Sequence, residues 1–413
     1  MFAGWFSESG GHGTRLWPYS VITRDATYYA YWTENDGGGQ GVGSVTPAPV
    51  TPVPELWTAT EAVQGHVTAE AASVYDGFLA DANGNVAGTV QVKVAKPKNG
   101  KAKAKVTIQP LGGKKTTVNG TLDLATGKVD GIGLTLGADG MSGTLNGYAA
   151  SGSRNLFSSK NKTEQGAADA VLKPWLGAVN VAWEGAQGWN GLSVNIAKKG
   201  KVKVSGTLAN GTKVLANGQL VVGAEWCCVP VVAAKAKLAF TLWLPMAQGV
   251  EPLVVGLGED VKDGVVVSKV GNLSGTSYFH LVDTPTEIGG AKVIPELLPI
   301  DVAITPAGAK WNIAKAKAVK LDRSGNLSYG DNPSGLKLTY TKKTGMFKGS
   351  LFLYTMNNRR LKKNTVTISG IVVNGIGYGT ATLKKVGCWS VIISTDKSEI
   401  DVDVLDARVE SEK

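Results

Sequence analysis

From Gly335 to Ile393 the chain reads GLKLTYTKKTGMFKGSLFLYTMNNRRLKKNTVTISGIVVNGIGYGTATLKKVGCWSVII. Apolar or aromatic segments of roughly six to nine residues alternate with turns of Lys, Asn, Thr and Gly, the spacing of hairpin-linked strands. This rhythm points to a β-meander. A shorter relative runs from Gly191 to Leu244. Its GLSVNIAKKGKVKVSGTL (191–208) aligns loosely with GLKLTYTKKTGMFKGSLFL (335–353): Gly-Leu, an alternating segment, Lys-Lys, Gly, then a returning strand. Each copy ends near a neighbouring Trp and Cys, Trp226–Cys227 and Cys388–Trp389.

The same pattern begins upstream at Ser73. From Lys101 to Val106 lysine alternates strictly with Ala or Val, the mark of a strand with one wet and one buried face. Turn signals divide residues 87–148 into about five antiparallel strands. The polar stretch from 149 to 170 predicts a loop and a short helix from Thr163, packed across a barrel end. Glycine supplies 54 of the 413 residues without a G-X-Y period, which excludes collagen and suits many tight turns.

A chain of this length divides into two or three domains. The expected fold class is all-β: two tandem, duplicated, antiparallel meander barrels, with β-sandwiches as the rival architecture. Closure into barrels would hide the unpaired edges of an open meander. The first barrel is expected over 58–248 and the second over 249–396, divided where Met246–Glu251 interrupts the apolar periodicity. Residues 33–57, Gly-rich and then Pro-rich, read as a linker. Residues 397–413 form an acidic tail.

Met1 to Trp32 packs many aromatics into a small unit. Phe2, Gly4 and Trp5 precede a polar loop, and Thr27, Tyr29, Ala30 and Trp32 close it. This stretch resembles the end of an InlB B-repeat (Listeria–Bacteroides repeat), a stalk or spacer module of bacterial surface and secreted proteins. The strand that precedes Phe2 in that family is missing, so the module reads as truncated, with any signal sequence outside the chain. Gly375 to Ala381 (GIGYGTA) lies in a body resembling the glycine-rich β-repeat regions of surface proteins from the Planctomycetes–Verrucomicrobia–Lentisphaerae group. Neither resemblance implies catalytic residues.

The formal net charge is +10, and the cations are mostly lysine. They are spread over turns and strand edges, as at 96–105, 198–203, 342–343 and 362–363, which reads first as solubility and edge protection. Attraction to an anionic surface or polysaccharide is the second reading. Few arginines and no aromatic-interleaved basic face argue against a specific nucleic-acid site.

Cys227, Cys228 and Cys388 are too few for a disulfide framework. Neighbours on a strand face opposite ways, so Cys227 and Cys228 read as buried thiols, with a disulfide to Cys388 as the alternative.

No catalytic constellation emerges. His12, His66 and His280 lack partners at metal-ligand spacing. His280 with Asp283 reads as a satisfied polar pair. DANGN (81–85) and DNPSG (331–335) carry a few calcium-type oxygens but fit turns better. Glu184, Glu225, Glu251, Glu259 and Asp260 are scattered carboxylates, not a glycosidase pair. No metal or cofactor is expected. Trp189 and Trp226, beside glycine-rich turns and the cysteine pair, are the candidate ligand platforms.

The expected function is therefore a non-catalytic structural or adhesive module of a secreted or cell-surface bacterial protein. The alternatives are a carbohydrate- or protein-binding module using exposed tryptophans and an accessory domain of a secreted hydrolase. Its expected partners are extracellular polysaccharide and host or self surface proteins. No apolar run is long enough for a transmembrane helix.

Overall fold

The computed structural model describes residues 72–395 with short gaps, together with His66, Val67 and three strands nearer the N-terminus. These strands are β1 (Phe2–Phe6), β2 (Arg15–Leu16) and β3 (Tyr29–Trp32), which form one antiparallel sheet in the order β2-β1-β3. The linker at 33–57, most of 58–71 and the tail at 397–413 lie outside the described residues.

A meander follows: β4 (Ser73–Ala80), β5 (Val86–Val94), β6 (Lys101–Pro110), β7 (Thr116–Asp123), β8 (Lys128–Asp130), β9 (Leu134–Leu136), β10 (Gly140–Leu145) and β11 (Tyr148–Arg154). β11 returns to pair with β4 and closes an eight-stranded antiparallel barrel. The alternation on β6 turns Ala102, Ala104 and Val106 inward and the lysines outward. Closure has a steric condition. A β-carbon on Gly77 would lie 2.1 Å from the Ser151 carbonyl oxygen, and one on Gly152 would lie 2.4 Å from that of Asp76. The Met141 methyl sits 2.7 Å from either position. Between Tyr148 and Arg154 the closing strand is accordingly built from Ala, Ser and Gly. Residues 149–154, expected to be loop, belong to it.

A 3-10 turn (Leu156–Ser158) leads into α1 (Lys162–Leu172). Its N-cap is Asn161, whose side chain accepts from the Thr163 backbone N–H, so the predicted helix is present. Ala168 and Leu172 of α1 enter the core of the next body.

That body spans β12 (Gly177–Gly185), β13 (Gly188–Ile196), β14 (Lys201–Thr207), β15 (Lys213–Gln219), β16 (Val221–Val222), β17 (Trp226–Ala233), β18 (Leu238–Pro245), β19 (Leu253–Val255) and β20 (Asp263–Lys269). Its two sheets run β15-β14-β13-β12-β20 and β16-β17-β18-β19. Val181 and Val194 from one sheet meet Phe240 and Leu242 from the other in a single core.

The last body contains β21 (Ser277–Leu281), β22 (Glu287–Ile288), β23 (Ala291–Val293), β24 (Val302–Ala307), β25 (Lys310–Asn312), β26 (Lys320–Leu321), β27 (Leu327–Ser328), β28 (Lys337–Thr341), β29 (Met346–Asn357), β30 (Arg360–Val373), β31 (Ile376–Leu383) and β32 (Gly387–Ser394). Eight of these close a second antiparallel barrel, because β29 pairs with both β28 and β30 while β32 returns to β21. The β22–β23 hairpin extends from β29, and β26–β27 stands apart as a small hairpin.

The all-β fold with two closed antiparallel barrels is as expected. Its division along the chain is not. The first ring closes by Arg154, and the expected boundary at 248/249 falls inside the middle body, between β18 and β19. The lost periodicity at 246–251 marks a connection within that body. The aligned hairpins 191–208 and 335–353 also lie in different kinds of body, the first in an open two-sheet unit and the second in a closed ring. They share the Lys-Lys turn, where Gly200 (φ 66°) and Gly345 (φ 68°) adopt left-handed backbone.

Candidate functional site

The middle body is covered on both sheets. Outward from its four-stranded sheet, Cys228, Ala239 and Trp243 pack against Phe78, Ala80 and Val86 of the first barrel. Outward from its five-stranded sheet, Ala182 and Val266 pack against Ile371, Val373 and Tyr378 of the second. Strands buried on both faces lose their polar alternation. β18 (LAFTLWLP) is buried at every position, and the run WCCVPVV on β17 has the same cause. These continuous apolar runs were the available sequence sign of a sheet sandwiched between neighbours.

Both candidate tryptophans lie at these seams. Trp189 is half-buried, its ring 4.3 Å from that of Tyr378, and its carbonyl accepts from Thr380 Oγ1 at 2.8 Å. Trp226, also half-buried, meets Trp243 edge-on at 6.5 Å within the seam to the first barrel. The rings expected as ligand platforms thus pack between bodies.

Polar groups reinforce the second seam. Asn180 Nδ2 donates to the Val372 carbonyl at 2.9 Å, and the Asn374 backbone N–H donates to Ser268 Oγ at 2.9 Å. Gly191 allows the approach, since a β-carbon there would meet Ile371 Cγ2 at 2.6 Å.

The three cysteines are free thiols, so the alternative disulfide to Cys388 is not formed. As the strand geometry requires, Cys227 faces the middle core and Cys228 the seam. Burial pushes the Cys227 thiol up to about 12 and the Cys228 thiol well above its ordinary value, with Cys227 adding to the latter. Neither is poised as a nucleophile. Cys388 is half-buried, 3.5 Å from Thr382 Oγ1.

His280 is buried on the outer face of the second barrel. Its Nδ1 lies 3.1 Å from a carboxylate oxygen of Asp301, outside hydrogen-bond alignment. Burial lowers its proton affinity, and Asp301 partly opposes that shift. Its expected companion Asp283 lies outside the described residues, as do His12, Glu225, Glu259 and Asp260. The register places His280 beside Ile392, and Ile392 beside Tyr378, so the histidine continues the row that faces the middle body.

A polar cleft of about 150 Å³ joins the first barrel to α1 and is lined by His66, Ser73, Arg154, Asn155 and Glu164 among others. Its charged groups are engaged with one another. Arg154 forms a two-pronged pair with Glu164 at 2.7 and 3.1 Å and donates to the Ala138 carbonyl at 2.9 Å. The Arg154 hydrogen bonds hold the Glu164 carboxyl down to about 2. Nearby, buried Asp76 accepts from Gln91 at 2.7 Å and Asn155 at 2.6 Å, while desolvation raises its proton affinity. The cleft fastens α1 to the barrel.

The calcium-type segments build turns. Asp81 Oδ1 accepts from the Asn85 backbone at 2.9 Å. Asn332 brackets its loop by donating to the Ala314 carbonyl at 2.8 Å and accepting from the Leu336 N–H at 2.9 Å. Among the described residues, no group of three His, Cys, Asp or Glu could hold a metal ion. No helix there is long and apolar enough to cross a membrane. Comparison with protein-family models, curated proteins and solved structures finds no match to this chain.

Proposed function

We propose that this chain is a non-catalytic structural module, a rigid spacer in a secreted or cell-surface protein. The observation that carries the reading is the double seam. The middle body is joined to a barrel on each sheet by apolar packing, and the second seam adds hydrogen bonds that a hinge would have to break. Independent modules usually meet through smaller, more polar contacts and move relative to one another. The chemically able side chains support the same reading: the Arg154–Glu164 pair holds two elements together, and Cys227 and Cys228 are buried as thiols. The likeness of residues 1–32 to a surface-stalk repeat supports the location.

Distances between spin labels on the two barrels, at Lys98 and Lys384, test this in the full chain. A single narrow distribution is expected. A broad or bimodal one would sink the rigid-spacer reading. Fractionation of the producing cell tests the location, and recovery with the cytoplasmic fraction would overturn it.

A further inference from the structure

The first barrel carries a charged surface that its fold does not require. Lys93 on β5 stands directly opposite Lys105 on β6, with Asn119 of β7 completing the row. In a neighbouring outward row Lys103 pairs with Thr121, which pairs with Asp130. Beyond it, Lys101 stands opposite Asp123. The four lysines are exposed. Between the Lys93 and Lys103 rows lies an open depression of about 690 Å³, floored by the backbone of Val94, Ala104 and Gly120.

Like charges directly opposite on paired strands repel. Asp130 and Asp123 offset the outer rows, but the Lys93–Lys105–Asn119 row contains no carboxylate; Asp76 on β4, which feels the Lys93 charge, is buried and hydrogen-bonded to Gln91 and Asn155. Lysines often guard sheet edges, and the sequence suggested that role for 96–105. It does not apply here, because β5 and β6 are interior strands of a closed ring. A clustered positive surface of this kind attracts and concentrates an anionic partner.

The lining also selects among polyanions. It offers ammonium groups, the Asn119 amide and the Thr121 hydroxyl, but no arginine fork and no aromatic ring. Nucleic-acid sites draw on those two groups to read and stack bases. Lysine ammoniums act as point charges for carboxylate or sulfate groups, and the amide and hydroxyl suit sugar hydroxyls.

We propose that the β5–β6–β7 face of the first barrel, centred on Lys93, Lys103 and Lys105, binds an acidic polysaccharide bearing carboxylate or sulfate groups. The site is independent of the spacer reading: a flexible chain could bind through it, and a rigid one could lack it.

The test uses the full chain with polygalacturonate and dextran sulfate as separate probes and neutral dextran as the blank, over a salt series. Wild type should bind one or both acidic polymers and not the blank. The variant K93Q/K103Q/K105Q should lose about tenfold in affinity or more and show a flatter salt dependence. K342Q/K343Q/K384Q removes equal charge from turns of the second barrel and should keep wild-type affinity. Neither variant should lower the thermal melt, since all six positions are exposed and K93Q/K103Q/K105Q removes a like-charge pair. No binding by wild type would overturn the proposal, as would equal losses in both variants. Duplex DNA or anionic vesicles held as tightly, with the same dependence on the three lysines, would overturn the assignment to polysaccharide.

Discussion

Asn180 donates its side-chain amide to the carbonyl of Val372, 2.9 Å away and 192 residues later in the chain. The bond is buried and crosses the seam between the middle body and the second barrel. Room for the amide comes from Gly345, where a β-carbon would lie 2.3 Å from Asn180 Nδ2. Replacing Asn180 with Ala leaves a buried carbonyl short of its donor, a loss of about 1–3 kcal/mol. Urea unfolding should show that loss, with the second barrel's transition separating from the rest.

Trp189 distinguishes a packing role from a ligand role. As a seam residue packed at a tilt against Tyr378, its change to Ala should destabilise the protein by roughly 2 kcal/mol, less than the ~3–5 of a fully buried tryptophan. A free ligand platform would leave the denaturation midpoint unchanged, and that outcome would count against the seam role.

Gly152 tests barrel closure. Ala at this position would place its β-carbon 2.4 Å from the Asp76 carbonyl oxygen and 2.7 Å from Gly77 Cα. Overpacking of this kind costs about 1–3 kcal/mol or more. Hydrogen exchange should rise first on β4 and β11 and leave the second barrel protected. Unchanged exchange would show that the ring yields without cost.

The thiols should divide by burial. Cys388 should react with an aromatic disulfide reagent in the native protein, while Cys227 and Cys228 react only after unfolding. Rapid native labelling of either of the latter would mean that the middle body opens readily.

His280 gives a signed pH dependence. Its protonated form is disfavoured in the fold, chiefly by burial, so its folded pKa lies below the ordinary 6.5. Its contribution to stability is complete above the unfolded value and declines as pH falls below it. His280→Gln should therefore flatten the fall in stability between about pH 7 and pH 5. A slope equal to wild type would assign the effect to other groups.

The strands were legible because their signals are local. The alternation from Lys101 to Val106 fixes which face of β6 is wet, and the helix expected from Thr163 begins one residue earlier, at Lys162. Gly200 and Gly345 mark two turns by their positive φ. The neighbouring cysteines had to face opposite ways. The candidate sites were less legible, because exposure depends on what another segment covers. Trp189 reads as free until Tyr378, 189 residues away, is laid against it.

By itself the sequence determined an all-β chain of hairpin-linked strands, through turn chemistry and period-two patterning that act within a few residues, and it favoured closed barrels over sandwiches only because closure hides edges. Only the tertiary structure decided where each ring closes, that an open two-sheet body stands between the barrels, and which outward lysines of different strands are brought side by side. Closure pairs β4 with β11 and β21 with β32, strands far apart in the chain, and it depends on close approach at Gly77 and Gly152. Those contacts have no local signature, since Ala, Ser and Gly read as loop until a second strand is found to need their smallness.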